Sequence, residues 1–180
     1  MKIIDNFLTP SYADAIEERL QSIDQPWFFS GSSSGKNIGN QSLLQYGFSF
    51  LICSKLDCGW IENSLTMLLR PFIFQVQDTV GAKEVLRCRV DMTVANGEKV
   101  LHPPHIDIEG QKNTTTIYYV SDSDGETVVY NEKEECKEYT VMETVMPKKN
   151  RLIIFDGEQY HTGHSPMKYK NRILINSNFI

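Results

Sequence analysis

From Val85 to its end the chain is a train of short β-rich runs, and that train limits what it can fold into. The runs span residues 85–94, 114–120, 127–130, 139–145, 151–155 and 172–179. They are rich in Val, Ile, Thr, Tyr and Phe, the residues that pack on a pleated surface. Turn pairs separate several of them: Asn96-Gly97, Asp124-Gly125 and Asp156-Gly157. The earlier chain has a different texture. Thr9-Pro10 marks a helix start, with a hydroxyl to cap it and a proline where a missing N–H costs nothing. Tyr12, Ala15, Ile16 and Leu20 then recur at helical spacing over 11–23. A second helical run covers 59–80, carried by Ile61, Leu65, Leu68, Leu69, Phe72 and Val76, and Pro71 is expected to kink it or to begin another helix. Helices first and strands after predict an α+β fold. The expected architecture is an eight-stranded jelly roll, a double-stranded β-helix, with the N-terminal helices packed on one sheet. Periodicity leaves an open sheet under helices as the alternative. A length of 180 residues predicts a single domain over 1–180, with 1–80 as helical support and 85–180 as the jelly-roll core.

Charge and cysteine usage narrow the function. The chain carries 18 basic and 23 acidic residues, a net of -5, which argues against a general nucleic-acid binder. Cys53, Cys58, Cys88 and Cys136 form no CxxC pair, so they read as free thiols in a reducing compartment rather than a zinc site. The opening MKIIDNFLTP has no apolar core of a secretory signal, and no apolar run approaches the roughly 20 residues of a membrane span. A cytoplasmic protein without a membrane partner is expected. The polar, glycine-rich stretch 31–40 reads as a surface loop in preference to a lid. The charged stretch 131–138 (NEKEECKE) reads as a solvated loop, in preference to an acidic rim that selects a basic substrate. Lys148-Lys149 beside Asn150 reads as a turn.

All four histidines fall in two short clusters, L-H-P-P-H-I-D-I with His102 and His105, and D-G-E-Q-Y-H-T-G-H-S-P with His161 and His164. On an extended strand, positions i and i+2 share a face, so His105 and Asp107 can aim an imidazole and a carboxylate at one point. A third ligand from another strand would complete a two-His, one-carboxylate set with open positions, the facial arrangement of non-haem iron oxygenases. His161 and His164 both compete for that place. Arg172 opens an apolar strand, where a buried charge is costly without an anionic partner. A dicarboxylate co-substrate matches a guanidinium in bidentate geometry.

Three segments carry a resemblance: H-I-D-I-E-G-Q-K-N-T-T-T-I-Y-Y-V, N-R-L-I-I-F-D-G-E-Q-Y-H and the final R-I-L-I-N. Over about residues 85–180 the chain resembles Fe(II)- and 2-oxoglutarate-dependent oxygenases of the prolyl-4-hydroxylase type. The opening I-I-D-N-F-L-T-P followed by a helix also looks like the start of such domains. The resemblance implies an HxD…H iron triad with a basic residue about ten positions after the distal histidine. His161 precedes Arg172 by eleven positions and His164 by eight, so the implied ligands are His105, Asp107 and His161. It further implies that Tyr119 and Arg172 hold the C5 carboxylate of 2-oxoglutarate, with Asn176 as a neighbour. The implied activity is a dioxygenase, using Fe(II), 2-oxoglutarate, O2 and possible help from ascorbate. It would hydroxylate a peptidyl-prolyl or small-molecule substrate and release succinate and CO2. Two other readings compete with it. One is a non-catalytic jelly-roll metal-binding or sensor module, the other a cupin-like metalloenzyme that does not use 2-oxoglutarate. One departure stands out: the family often has Gly-Gly before Glu-Thr, where this chain has Asp124-Gly125-Glu126-Thr127, a turn expected to survive with one glycine. His102 is expected in a loop or behind the ligands. Alternation along the strand predicts that one of Tyr118 and Tyr119 faces inward and the other outward.

Overall fold

A computed structural model describes residues 1–31 and 45–180. In chain order its elements are β1 (Lys2–Asp5), α1 (Pro10–Gln21), β2 (Phe28–Ser30), β3 (Gly47–Ser54), β4 (Gly59–Trp60), α2 (Ser64–Val80), β5 (Val85–Val94), β6 (Thr114–Tyr119), β7 (Thr127–Tyr130), β8 (Val141–Val145), β9 (Arg151–Asp156), β10 (His161–Gly163) and β11 (Asn171–Phe179). Each of the six expected runs is a strand. The expected loop at 31–40 lies, apart from Gly31, outside the described residues.

The strands form two antiparallel sheets. The larger has the order β1-β9-β6-β11-β5-β3-β2, with β4 paired to β3, and the smaller has the order β10-β7-β8. Two isolated bridges, Leu101 to His164 and His105 to His161, lay segment 101–105 along the free side of β10. With that segment as its fourth member, the smaller sheet faces four central strands of the larger one, β5, β11, β6 and β9. The chain crosses between the sheets repeatedly: β5, then 101–105, then β6, then β7 and β8, then β9, β10 and β11. This is the jelly roll expected from the sequence.

The larger sheet buries both faces. On one side, Ile16 and Leu20 of α1 and Leu65, Leu69, Phe72, Ile73 and Val76 of α2 cover Cys88, Val90, Tyr118, Ile173 and Ile175. On the other, Ile117, Tyr119, Ile153, Phe155 and Leu174 meet Val129 and Val145 of the smaller sheet. Each such fully buried apolar side chain is worth about 2 kcal/mol. Alternation thus splits the tyrosine pair as expected, Tyr118 toward the helices and Tyr119 into the space between the sheets. The helices of the N-terminal region do pack on one sheet, but that region also supplies β1 to β4.

Three local expectations change. Thr9 occupies the cap position of α1, yet its side chain makes no cap hydrogen bond; its carbonyl instead receives the Tyr12 and Ala13 amides at 3.1 and 3.0 Å. The second helix begins at Ser64 rather than Gly59, because the Asn63 side chain accepts the Thr66 amide at 2.9 Å and fixes the start there. Pro71 neither breaks α2 nor starts a new helix. A proline opens the ladder around it. Here the Tyr12 hydroxyl fills the opening, donating to the Leu68 carbonyl at 2.7 Å and accepting from the Phe72 amide at 3.0 Å. Among the described residues, no helix is long and apolar enough to cross a membrane.

Candidate active site

The two histidine clusters meet because the 101–105 segment and β10 are bridged. The His105 and His161 backbones exchange both amide bonds, at 3.0 and 2.9 Å, so the two residues lie directly opposite each other. Their ring centroids are 4.6 Å apart. Asp107 sits in the bend that follows, not on a regular strand, so extended-strand alternation is only part of why it converges. Its carboxylate lies 3.9 Å from His105 Nε2 and 3.5 Å from His161 Nε2. One ligand atom from each of these three residues falls within 4.8 Å of the others, a set able to hold a metal ion. His164 is elsewhere, its Nδ1 3.4 Å from the Glu126 carboxylate, which also pairs with Lys99.

Backbone carbonyls orient both rings. His105 Nδ1 is 3.1 Å from the Pro103 carbonyl, and His161 Nδ1 is 3.3 Å from the Gln159 carbonyl. A carbonyl accepts only from N–H, so in the neutral ring the proton sits on Nδ1 and the Nε2 lone pair faces the cluster. Burial, with His161 beside it, lowers the His105 pKa to about 4 and favours that neutral form. Asp107 is held from three sides. Arg87 Nη2 donates to Oδ1 at 2.9 Å, and the Asn176 and Asn178 amides donate to Oδ2 at 3.0 and 3.3 Å. Burial opposes its ionisation, but His161, Arg87, His105 and the Asn176 amide outweigh burial and hold the carboxyl below the usual range.

The cluster opens on a cavity between the sheets, lined also by Arg172, Thr127, Asn176, Ile117 and Leu174. Arg172 is 7% exposed, and its Nη2 donates to Thr127 Oγ1 at 2.6 Å. Its Nε is buried without a partner, and among the described residues no carboxylate lies within ion-pair distance of its guanidinium. Burial lowers its pKa, the expected direction for a cation without a full counter-charge. Tyr119 donates its hydroxyl to the same Thr127 oxygen at 2.7 Å, with its ring centroid 5.9 Å from the guanidinium carbon. Two glycines make room for this arginine. A Cβ on Gly163 would lie 3.0 Å from Arg172 Nη2, and one on Gly125 would collide with the His164 carbonyl and the Arg172 side chain. The single glycine of the Asp124-Gly125-Glu126-Thr127 turn is therefore fixed by packing.

Of the six residues singled out in the sequence, His105, Asp107 and His161 converge, and Arg172 and Tyr119 meet at Thr127 in the same cavity. Asn176 lines that cavity, but its amide is spent on Asp107. Sequence reasoning missed Arg87, Thr127 and Asn178, which act across strands. It also missed Arg89 and Asp91, although R-C-R-V-D-M-T puts polar residues on one whole face of a central strand. That alternation is the signal that identifies them.

Residues 92–180 match the model of the 2OG-Fe(II) oxygenase superfamily. No curated protein sequence matches the chain. Solved structures share the fold over nearly its whole length. A prolyl hydroxylase from Trichoplax adhaerens, solved with a hypoxia-inducible-factor peptide, is 16% identical with a TM-score of 0.69, covering 99% of this chain and 82% of that one. A prolyl-4-hydroxylase from Pseudomonas putida is 10% identical with a TM-score of 0.63, covering 99% and 91%. HygX from Streptomyces hygroscopicus, solved with nickel, 2-oxoglutarate and hygromycin B, is 8% identical with a TM-score of 0.64, covering 98% and 81%.

Proposed function

We propose that this enzyme, whose residues 92–180 match the model of the 2OG-Fe(II) oxygenase superfamily, is an Fe(II)- and 2-oxoglutarate-dependent dioxygenase that hydroxylates a peptidyl-prolyl or small-molecule substrate and releases succinate and CO2. In this reading His105, Asp107 and His161 hold the iron. Arg172, Tyr119 and Thr127 hold the distal carboxylate of 2-oxoglutarate, and ascorbate keeps the iron reduced. One observation carries the proposal. The cavity that contains a His-Asp-His cluster also contains a buried arginine without an acidic partner. The donor set suits a divalent transition metal with open positions, and the orphaned guanidinium suits a carboxylate.

Bound iron and 2-oxoglutarate supply the oxidising chemistry, oxidative decarboxylation by O2 with oxygen delivered to a substrate C–H bond. The chain's own residues do the rest. The Pro103 and Gln159 carbonyls keep both Nε2 lone pairs pointed at the metal position. Arg87, Asn176 and Asn178 keep the Asp107 carboxylate ionised and in one rotamer. Thr127 Oγ1 accepts from both Tyr119 and Arg172, which leaves its own hydroxyl hydrogen free to donate to a bound carboxylate. Ile117 and Leu174 add apolar surface to the cavity lining. The free thiols, Cys53, Cys58, Cys88 and Cys136, support a reducing compartment, the cytoplasm.

The test is co-substrate turnover. Purified protein with Fe(II), ascorbate, 2-oxoglutarate and air is expected to form succinate slowly even without a prime substrate. Calorimetric titration of 2-oxoglutarate into the Mn(II)-loaded protein is expected to show one site. Arg172→Ala should weaken it by about 100-fold, the loss of a charge-assisted pair of about 3 kcal/mol. Turnover that survives Arg172→Ala intact would favour a cupin-like enzyme. Absence of both succinate and 2-oxoglutarate binding would leave a non-catalytic module.

A further inference from the structure

Three arginines reach the space around the metal cluster. Arg87 is committed to Asp107 and Arg172 stands with Tyr119 and Thr127, but Arg89 has no such role. It lies on β5, where Cys88 and Val90 face the helices while Arg89, Asp91 and Thr93 face the cavity. Register places Arg89 opposite Asn176, the residue that holds Asp107, and Asp91 opposite Leu174. The Arg89 charge is close enough to the cluster to be felt by both His105 and Asp107. On its other side β5 pairs with β3, which brings Ser49 beside Asp91. A smaller cavity opens there, lined by Ser30 and Gly47, and shares Arg89, Asp91 and Thr93 with the main one. The interior of the barrel therefore continues outward as a trough, with Arg89 and Asp91 on the wall common to both.

The pair is not closed on itself. Arg89 Nε is 2.6 Å from Asp91 Oδ1, a lateral ion pair that engages one edge of the guanidinium. Among the described residues no second carboxylate lies within ion-pair distance of Arg89, and the two side chains remain 26% and 21% exposed. A guanidinium has five N–H groups in a planar fork, so one lateral carboxylate leaves the terminal edge open to another. The ligand must suit both signs. A second anion alone would face Asp91. An uncharged amide would leave two half-buried charges poorly solvated. A molecule with adjacent positive and negative groups satisfies each with its opposite.

We infer that Arg89 and Asp91 recognise the prime substrate, and that this substrate is a small zwitterion, a free amino or imino acid whose carboxylate pairs with Arg89 and whose ammonium pairs with Asp91. This rests on the oxygenase reading and selects, within it, a free amino acid over a peptide. The reaction balances as for any such oxygenase. One oxygen atom of O2 enters the substrate C–H bond as hydroxyl and the other enters succinate, while 2-oxoglutarate loses CO2 and supplies two electrons.

The experiment is substrate-stimulated succinate release by the Fe(II)-loaded enzyme. The panel contains the free L-amino acids, their methyl esters and N-acetyl derivatives, and a peptide with an internal proline. At least one free acid is expected to raise the rate several-fold above the uncoupled level, while its ester and its N-acetyl derivative do not. Arg89→Gln and Asp91→Asn are each expected to raise the KM for that acid at least tenfold while 2-oxoglutarate binding to the Mn(II) form stays within twofold. Circular dichroism and melting check that each variant folds. If Arg89→Gln does not fold, Asp91→Asn and the derivative series still decide. Stimulation by the peptide alone, or by no free acid, overturns the inference. So does Arg89→Gln weakening 2-oxoglutarate, which would give that arginine to the co-substrate. Failure of the wild-type protein to bind 2-oxoglutarate at all sinks the oxygenase reading instead.

Discussion

Asp107 has more hydrogen-bond donors than a single metal ligand needs, and the surplus defines what its neighbours do. Asn176 was expected beside the co-substrate, but its amide donates to Asp107 Oδ2 at 3.0 Å. Asn176→Ala is therefore expected to weaken Mn(II) affinity by about 10–100-fold, as for other residues that orient a ligand. Its effect on 2-oxoglutarate affinity at saturating metal should be small, and the reverse ranking in paired titrations would return Asn176 to its expected place. Thr127 gives a complementary prediction. Thr127→Val keeps the shape but removes the oxygen shared by Tyr119 and Arg172. It should raise the KM for 2-oxoglutarate about tenfold, from one lost hydrogen bond to a charged group, with kcat at saturation little changed. An unchanged KM would show that Thr127 only fills space. The candidate metal ligands were legible because two lie two positions apart and the third has the spacing to Arg172 that the family resemblance implies. Thr127, Arg87 and Asn178 were not, because strand register, rather than chain spacing, brings them to their partners.

Among the elements, the long amphipathic runs declared themselves and the short ones did not. β5 and β11 match their expected spans almost to the residue because ten and nine residues are enough to display alternation. β2, β4 and β10 have three, two and three residues, too few to carry any period. β10 nonetheless brings His161 to the cluster with His105 and Asp107, so the sequence singled out that residue without its strand. Pro71 lies inside one helix instead of starting another, and the ladder opened beside it is bridged by Tyr12 of α1. Tyr12→Phe should cost about 1–2 kcal/mol, because it strands the Phe72 amide and the Leu68 carbonyl. Chemical denaturation would measure it, and an unchanged midpoint would mean that α2 closes its own ladder. Asn150 ties the N-terminal region to the barrel. It sits at φ 63 and its side chain both accepts from the Leu8 amide, at 2.8 Å, and donates to the Leu8 carbonyl, at 2.9 Å. Asn150→Ala loses these bonds, the one its Oδ1 accepts from the Tyr118 hydroxyl at 3.3 Å, and the left-handed tolerance of asparagine, for about 3 kcal/mol. Asn150→Gly, which removes only the bonds, should cost less.

For the whole molecule, the buried histidines make stability depend on pH when no metal is bound. Burial, with Arg172 and His164 beside it, lowers the His102 pKa to about 4, and burial with His161 beside it lowers that of His105 to about 4. In the unfolded chain both titrate near 6.5, at about 1.4 kcal/mol per unit of difference. Between those values the unfolded chain takes up protons that the folded chain refuses, so stability is complete above about pH 6.5 and falls as pH falls toward about 4. Each histidine contributes about 3 kcal/mol to that loss. Asp107 adds a second window with the opposite ionisation. Its folded pKa lies below the usual carboxylate value, so its contribution persists above about pH 4 and is lost only below it. The chelator-treated protein should therefore lose Tm steadily from pH 6.5 to 4 and continue to lose it in stronger acid. His102→Gln should roughly halve the slope of the upper window without touching the lower one. A Tm that stays flat between pH 6.5 and 5 would mean that the barrel takes up both protons without opening, and that burial of these rings is looser than the 4% exposure of His102 and the 14% side-chain exposure of His105 indicate.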